Sequence, residues 1–490
     1  LLSEETFQED GNTFVNMFSG EWSGTSKLNK YDLSSMYFNY AGSIYSQNFP
    51  IIDIVMNTML KQEESTQGRH FFRMFNGMGD DQRAAAYLNG KSFEQAVLDN
   101  TLSTEVFYEM MKLKGVYLRN YINSRLSSNE FKEFMAEFMK KYQFQEVNFT
   151  RLNSEFIRKF HFNLMDFIPN WYTINSTPRF IVKGVDADQV EIGDYTKYIV
   201  KFQVYNPTNV EGVISVNVEE GGGMFPGGPR GRRGRAAQME SKPAKNYIIE
   251  PRKYKEIRIL CDERPSNLTI NTNISQNLPS TIMQNFAKVT TTTTDTVTGI
   301  FDSNAALFTF NPKEITVDNE DPGFRIIESN QKNKLQSFFK KESEDKYKNL
   351  NFWMPPSKWT ATIGVNYYGD YINSAVYKKS GSGSNKTEWT TQIQIPGFYE
   401  VFVYTSELPM MGWRRRGSEE KKMQYYTVKH DDGEEEISVE TGRGRQGWMT
   451  LGSFYFSAGE AKITLSDKGS ESNQIIFADA VKWVYTNNNK

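Results

Sequence analysis

One cysteine, Cys261, occurs in 490 residues. No intrachain disulfide can form, so the cores must hold without covalent staples. Histidine is nearly as scarce: His70, His161 and His430 stand far apart in the sequence. A zinc centre built on two histidines one helical turn apart is excluded, and no HExxH occurs. An excess of one charge is missing too. The 57 basic and 59 acidic residues leave a formal net charge of −2, which gives no overall bias toward nucleic acid. The longest apolar candidate, FPIIDIVMNTML, is too short to span a bilayer and carries Asp53. Phosphate loops, dinucleotide fingerprints and serine elbows are absent. The chain starts at Leu1 with neither an initiator Met nor a charged-then-apolar leader. We read this as a processed protein or a fragment of a longer one, with any signal peptide or anchor upstream. The single cysteine suits a cytosolic protein and equally a periplasmic or surface one. Abundant Asn, Ser, Thr, Tyr and Gly favour the second.

What is present divides into three zones. Residues 1–172 are helical in pattern. In SSNEFKEFMAEFMKKY, Phe131, Phe134, Met135, Phe138, Met139 and Tyr142 recur at the spacing of one helix face. Ser127 and Glu130 predict a capping box at its start. A preceding helix uses Met110, Leu113, Tyr117, Tyr121 and Ile122, and a later one Leu152, Phe156, Ile157 and Phe160. Core packing is the plain meaning of these stripes.

Residues 173–311 change to a period of two, with turn signals at Gly193-Asp194 and Asn206-Pro207. Short strands at this spacing predict an antiparallel, immunoglobulin-like β-sandwich. It is interrupted by the Gly- and Arg-rich segment 221–238, expected to be disordered or very mobile. Residues 312–487 form a third zone. A charged helical pattern at 329–350 precedes strands such as TEWTTQIQIPGFYEVFVYTS, and HDDGEE reads as a turn between two strands. Trp448 and Phe454 lie six residues apart in an alternating run, so both are expected to face the core. Asp479, between Ala478 and Ala480, is expected to be a buried acid with a structural hydrogen-bonding role.

The stretches VDNEDPGF, PGFYEVFVY, YYTVKHDDG, WMTLGSFYFSAGEAKITLSD and FADAVKWV occur in that order between Val317 and Val484. By them the third zone resembles the golvesin C-terminal-like domain, a xanthan-lyase-associated β-sandwich. That resemblance implies a non-catalytic accessory module, found beside bacterial enzymes and on surface proteins, with glycan or wall binding as its expected role. The helical zone, through MKLKGVYLRNYI, FKEFMAEFMKKYQFQEV and LNSEFIRKFHFNLMDFIPNWY, resembles the rear half of the M1 (gluzincin) aminopeptidase catalytic domain. Imposing that family's spacing puts Asn16 and Gly20 where its two histidines belong, Asn39 at the third ligand and Lys112 at its transition-state tyrosine. Asn, Gly and Asn cannot make a tetrahedral zinc site. A lysine cannot replace a phenol that donates to an oxyanion. The resemblance therefore implies either a decayed peptidase kept as a scaffold or a chain whose catalytic motif lies outside it. Each lone histidine reads as a structural residue.

The fold class expected is thus multidomain α + β: a helical gluzincin-like region followed by two antiparallel β-sandwiches, immunoglobulin-like and then golvesin-like. No catalytic residue and no metal ligand is assigned. Candidate binding residues are aromatic rings able to stack on sugars, Trp389, Trp413, Tyr367, Tyr368 and Tyr371. Two arginine clusters join them: Arg230, Arg232, Arg233 and Arg235, and Arg414, Arg415 and Arg416. No cofactor is expected. The DNEDPG segment offers oxygens of the kind calcium takes at Asp318, Asn319 and Asp321, without the twelve-residue loop and closing Glu, so calcium there is the lesser expectation. Expected partners are envelope proteins or polysaccharide, not nucleic acid; membrane contact would come only through a segment not present here. The expected place is the periplasm or cell surface, after export. Two alternatives stand beside this binding and scaffold role: the C-terminal portion of an M1-type zinc aminopeptidase, and a subunit of an envelope transport or secretion assembly.

Overall fold

The structure is a computed structural model. It describes residues 44–49, 52, 55, 80–142, 145, 147–221, 244–286, 289, 291–328, 346–351, 353–406, 422–442 and 445–486. Asn16, Gly20, Asn39, His70, Arg230, Arg232, Arg233, Arg235, Trp413, Arg414, Arg415 and Arg416 lie outside these, as do 222–238 and the helical pattern expected from 329 to 345. Residues 346–350 carry no helix. The described chain divides into two compact units, one mainly 84–177 and the other mainly 178–490. Strands predominate among the described elements.

The first unit holds helices α1 (Asp80–Leu88), α2 (Phe93–Leu98), α3 (Thr104–Asn123), α4 (Ser128–Lys141), α5 (Phe149–Phe160) and α6 (Ile168–Thr173). Two short strands, β1 (Ile44–Tyr45) and β2 (Val147–Asn148), pair in parallel. The expected capping box is formed: Ser127 Oγ accepts from the Glu130 N–H, and Glu130 accepts from the Ser127 N–H (2.9 Å). The predicted stripe is buried at Phe131, Phe134, Met135, Phe138 and Tyr142. Its Phe134 ring meets Phe156 of α5 edge-on at 5.2 Å. Lys114, inside α3, is buried as well. Its ammonium donates to the Trp171 carbonyl (2.5 Å), and loss of water pushes its pKa down to about 7. Lys112 instead pairs with Glu109 one turn away (2.7 Å).

The second unit begins with β3 (Ile181–Ile192), β4 (Tyr195–Tyr205), β5 (Gly212–Glu220), β6 (Lys245–Ile249), β7 (Tyr254–Cys261), β8 (Pro265–Asn271), β9 (Thr281–Asn285), β10 (Thr291–Thr293) and β11 (Gly299–Asp302). They make two sheets, ordered β10-β3-β4-β7-β11 and β6-β5-β8-β9. The Gly193-Asp194 signal is the two-residue turn of the β3–β4 hairpin. An all-antiparallel arrangement was expected, yet β10 runs parallel to β3. The chain leaves β9 in one sheet and returns alongside β3 in the other, which no local pattern announces.

The rest of this unit contains β12 (Glu314–Val317), β13 (Phe324–Ile327), β14 (Thr360–Ile363), β15 (Ser374–Lys379), β16 (Lys386–Ile393), β17 (Gly397–Thr405), β18 (Lys422–His430), β19 (Gly433–Thr441), β20 (Gly447–Phe456), β21 (Gly459–Gly469), β22 (Ile475–Ala478) and β23 (Val481–Thr486). A four-stranded sheet, β12-β23-β17-β20, and a five-stranded sheet, β13-β16-β21-β18-β19, share one core, with β14-β15-β22 as a third, smaller sheet. Tyr399, Val401, Val403 and Trp483 come to that core from the first sheet, and Trp389, Tyr426, Ile463 and Leu465 from the second. Each such large side chain, fully removed from water, contributes on the order of 2 kcal/mol. The HDDGEE turn joins β18 to β19 as expected.

Candidate functional site

Strand β17 alternates without a break. Tyr399, Val401, Val403 and Thr405 turn inward, and Phe398, Glu400, Phe402 and Tyr404 turn away from the core. Its neighbour β20 does not keep one parity. Gly452 pairs with Val401 and Thr450 with Phe402, so Leu451 is an extra residue with no partner in the ladder. Met449, Leu451, Phe454 and Phe456 therefore all face inward, although 451 and 454 differ by an odd number. Trp448, expected in the core beside Phe454, is placed on the outer face opposite Tyr404. The bulge reverses the side-chain direction, as a one-residue slip does.

Three rings meet there in mutual edge contact. Tyr404 and Trp448 lie 5.3 Å apart at 80°, Tyr368 and Trp448 5.1 Å apart at 66°, and Tyr368 and Tyr404 5.7 Å apart. All three are half-buried. The Lys482 ammonium sits 4.7 Å from the Trp448 ring centroid and 5.6 Å from that of Phe402, and it pairs with Glu314 at 3.4 Å. Burial pushes the Tyr404 phenol up to about 12 and raises Tyr368 further, so both keep their protons at neutral pH. The platform thus offers flat apolar faces beside neutral hydroxyl groups.

Tyr368 is held in place from behind. Its N–H donates to both oxygens of the buried Asp479 carboxyl (3.2 Å each), which also accepts from Ser406 Oγ (3.2 Å). The structural role expected of Asp479 is the one its bonds describe. Burial raises this carboxyl well above the usual range, and the charge of Asp318 adds to the effect. Asp318 is pushed up to about 8, by burial first and then by Asp321 and Glu320 against the opposing backbone N–H bonds. Neighbouring charges on this side include Lys346, 2.5 Å from Glu320, and Asp370, 3.5 Å from Lys183.

Asp318, Asn319 and Asp321, the trio considered for calcium, turn to the protein's own groups. Asp321 accepts from the Asp318 N–H (2.8 Å), and the Asn319 amide lies 2.7 Å from the Ser374 hydroxyl. Among the described residues no group of three His, Cys, Asp or Glu side chains is gathered closely enough to hold a metal ion.

These buried acids set a pH dependence. A carboxyl whose pKa is higher folded than unfolded stabilises the fold when protonated, and that contribution is lost as pH rises through the folded value. For Asp318 the window runs from about 4 to about 8. The urea midpoint is expected to fall between pH 5 and pH 8 by an amount worth about 1–3 kcal/mol. The isosteric Asp318→Asn change flattens that dependence. A wild-type chain equally stable at both pH values would contradict the assignment.

The sequence-derived candidates separate cleanly. Tyr368 is on the platform. Trp389 is not exposed but 1% accessible, on β16 between β13 and β21, its indole N–H donating to the Asp479 carbonyl (3.0 Å). Its even spacing from Ile393 was the signal that it faces the core. Tyr367, in the loop between β14 and β15, is buried too, packed with Ala375, Tyr377, Ile475 and Phe477. One face of the Tyr371 ring is covered by the Arg179 guanidinium at 3.9 Å. Sequence reading missed Tyr404, Phe402, Trp448 and Lys482. It also missed Trp353, which is 78% exposed before β14.

Residues 349–485 match the family described as Golvesin C-terminal domain. The matched span takes in β17, β20, Asp479 and all of the platform rings, so the resemblance drawn from the third zone holds at the level of this domain. No curated protein matches the chain. Among solved structures, a Paenibacillus xanthan lyase is similar at 14% identity over 63% of this chain and 26% of its own, with a TM-score of 0.25. The match therefore spans about a quarter of the lyase. A two-domain protein of unknown function from Bacteroides fragilis is similar at 10% identity over 63% of this chain and 94% of its own, with a TM-score of 0.16. TmCBM61, solved with β-1,4-galactotriose, is similar at 14% identity over 35% of this chain and 83% of its own, with a TM-score of 0.14. Scores this low carry no argument about the site. None of these matches supports the M1-like reading of residues 1–172.

Proposed function

We propose that this chain is a non-catalytic binding protein of the cell envelope or surface, and that its C-terminal sandwich holds polysaccharide on the outer face of β17 and β20. The observation that carries this reading is the ring cluster of Tyr368, Tyr404 and Trp448 facing away from the core, with Lys482 beside it. Rings grouped this way present the flat apolar surface that a sugar ring stacks on, and phenol and indole groups add hydrogen bonding at the rim. Export to the periplasm or surface is part of the proposal. Among the described residues no helix is long and apolar enough to cross a membrane. The decayed M1-like body at 1–172 and the immunoglobulin-like sandwich at 173–311 belong to the same proposal as its scaffold, and 312–487 as its binding module.

The test is affinity electrophoresis of the intact chain through gels containing neutral or acidic polysaccharides. Retardation by at least one polysaccharide is expected, with Trp448→Ala weakening it at least about tenfold. Because Trp448 lies outside the core cluster, the variant should keep its melting temperature within a few degrees. No retardation in any gel, or a Trp448→Ala chain that binds like wild type, would remove this reading.

A further inference from the structure

The outer face of β17 and β20 extends well beyond the three-ring cluster. At the other end of the same two strands, Phe398 and Tyr455 are direct cross-strand partners, with centroids 5.4 Å apart at 77°. They are 42% and 37% exposed, so neither is held by the core. Phe398 and Tyr404 are six residues apart on a regular strand, a separation of about 20 Å. Between the two aromatic stations the face carries Phe402, Glu400, Thr450 and Ser453, the last three exposed. This is a row of hydroxyl and carboxylate groups with one further ring, unlike the continuous apolar surface that another protein would cover.

The charges on the face point the same way. Lys482 is already paired with Glu314, which leaves Glu400 as the one charged outward side chain of β17. Among the described residues this face has no surplus positive charge to draw a uronate or phosphate polymer, and Glu400 repels one.

We infer that the face is an extended site for the interior of an uncharged polysaccharide, lying along β17 and β20 with rings stacked at both the Tyr404–Trp448 and the Phe398–Tyr455 stations. This rests on the polysaccharide-binding reading above. Two stations about 20 Å apart cannot both be reached by a disaccharide, whereas a chain of several rings engages them together and gains from the second contact being intramolecular.

Calorimetric titration of the intact chain tests this with cello-, xylo-, manno- and galacto-oligosaccharides of two to six rings, and with oligogalacturonates of the same lengths. In at least one neutral series the affinity is expected to rise about tenfold or more from two rings to six. Tyr455→Ala should erase most of that rise, because only one station then remains, and Trp448→Ala should weaken every length. Binding that depends on Trp448 but is flat with length and indifferent to Tyr455→Ala overturns the extended site and leaves the binding reading standing. Tighter binding of oligogalacturonates than of every neutral series overturns the uncharged ligand. Binding of no series overturns both.

Discussion

Replacing Asp467 with Ala should destabilise the C-terminal sandwich by about 3–5 kcal/mol, enough to leave many domains largely unfolded. Asp467 on β21 is fully buried and forms an ion pair with Lys378 on β15, itself 3% exposed. The carboxylate also accepts from the Gly383 N–H (2.7 Å) and the Asn385 side chain (2.9 Å). Burial alone would raise its pKa, but the bonds from Lys378 and Asn385 outweigh that and hold it below the usual carboxylate range. Removing Asp467 strands an ammonium group whose remaining described company is the Trp359 ring at 5.8 Å. Removing the lysine is less severe, because Asp467 keeps two donors. The expected order of loss in urea unfolding is therefore Asp467→Ala, then Lys378→Met, with the Asp467→Leu/Lys378→Met pair milder than the sum of its parts. If Asp467→Ala unfolds within about 1 kcal/mol of wild type, the pair does not hold the sheets together.

Gly452→Val should cost about 2–5 kcal/mol and disable the platform along with the fold. Gly452 has φ +138°, a conformation that L side chains rarely adopt, and a Cβ there would come within 3.0 Å of the buried Phe454 ring. The two penalties can be told apart. Gly433 in the β18–β19 turn has a similar φ of +131° with nothing within 4 Å of its Cβ direction, so Gly433→Ala meets backbone strain alone. Its loss should stay near the lower end, about 1 kcal/mol. Relief of the strain at 452 by closing the bulge would shift Trp448 to the opposite face. Tryptophan emission and polysaccharide binding of whatever Gly452→Val protein remains folded measure that shift. An equally stable variant with unaltered binding would show that β20 does not need the bulge.

How far the fold could be read before its coordinates depended on how local each signal was. The α4 stripe and its Ser127–Glu130 capping box involve residues within one or two turns, and both were read correctly. The β3–β4 and β18–β19 hairpins were legible for the same reason: their strands pair across turns of two residues. The sequence patterns of the third zone, taken over 312–487, pointed to the family that residues 349–485 match, while VDNEDPGF at 317–324 lies outside the matched span. Trp389, expected at the surface for its aromatic character, is buried, in keeping with its even spacing from the buried Ile393 on the same strand. The parallel β10–β3 pair joins segments about a hundred residues apart, and nothing local encodes it.

By itself the sequence determined that these 490 residues form no intrachain disulfide and carry no paired-histidine zinc motif, and it determined where helix gives way to strand. Those properties follow from residue counts and from periods of 3.6 and 2, which the chain carries along its own length. Only the tertiary structure decided which rings face away from the core. The alternation that assigns a face holds while pairing is regular, and the extra residue at Leu451 reverses it partway along β20. That residue joins Trp448 to Tyr404 on the neighbouring strand and to Tyr368 on a distant loop, contacts fixed by register and burial rather than by distance along the sequence.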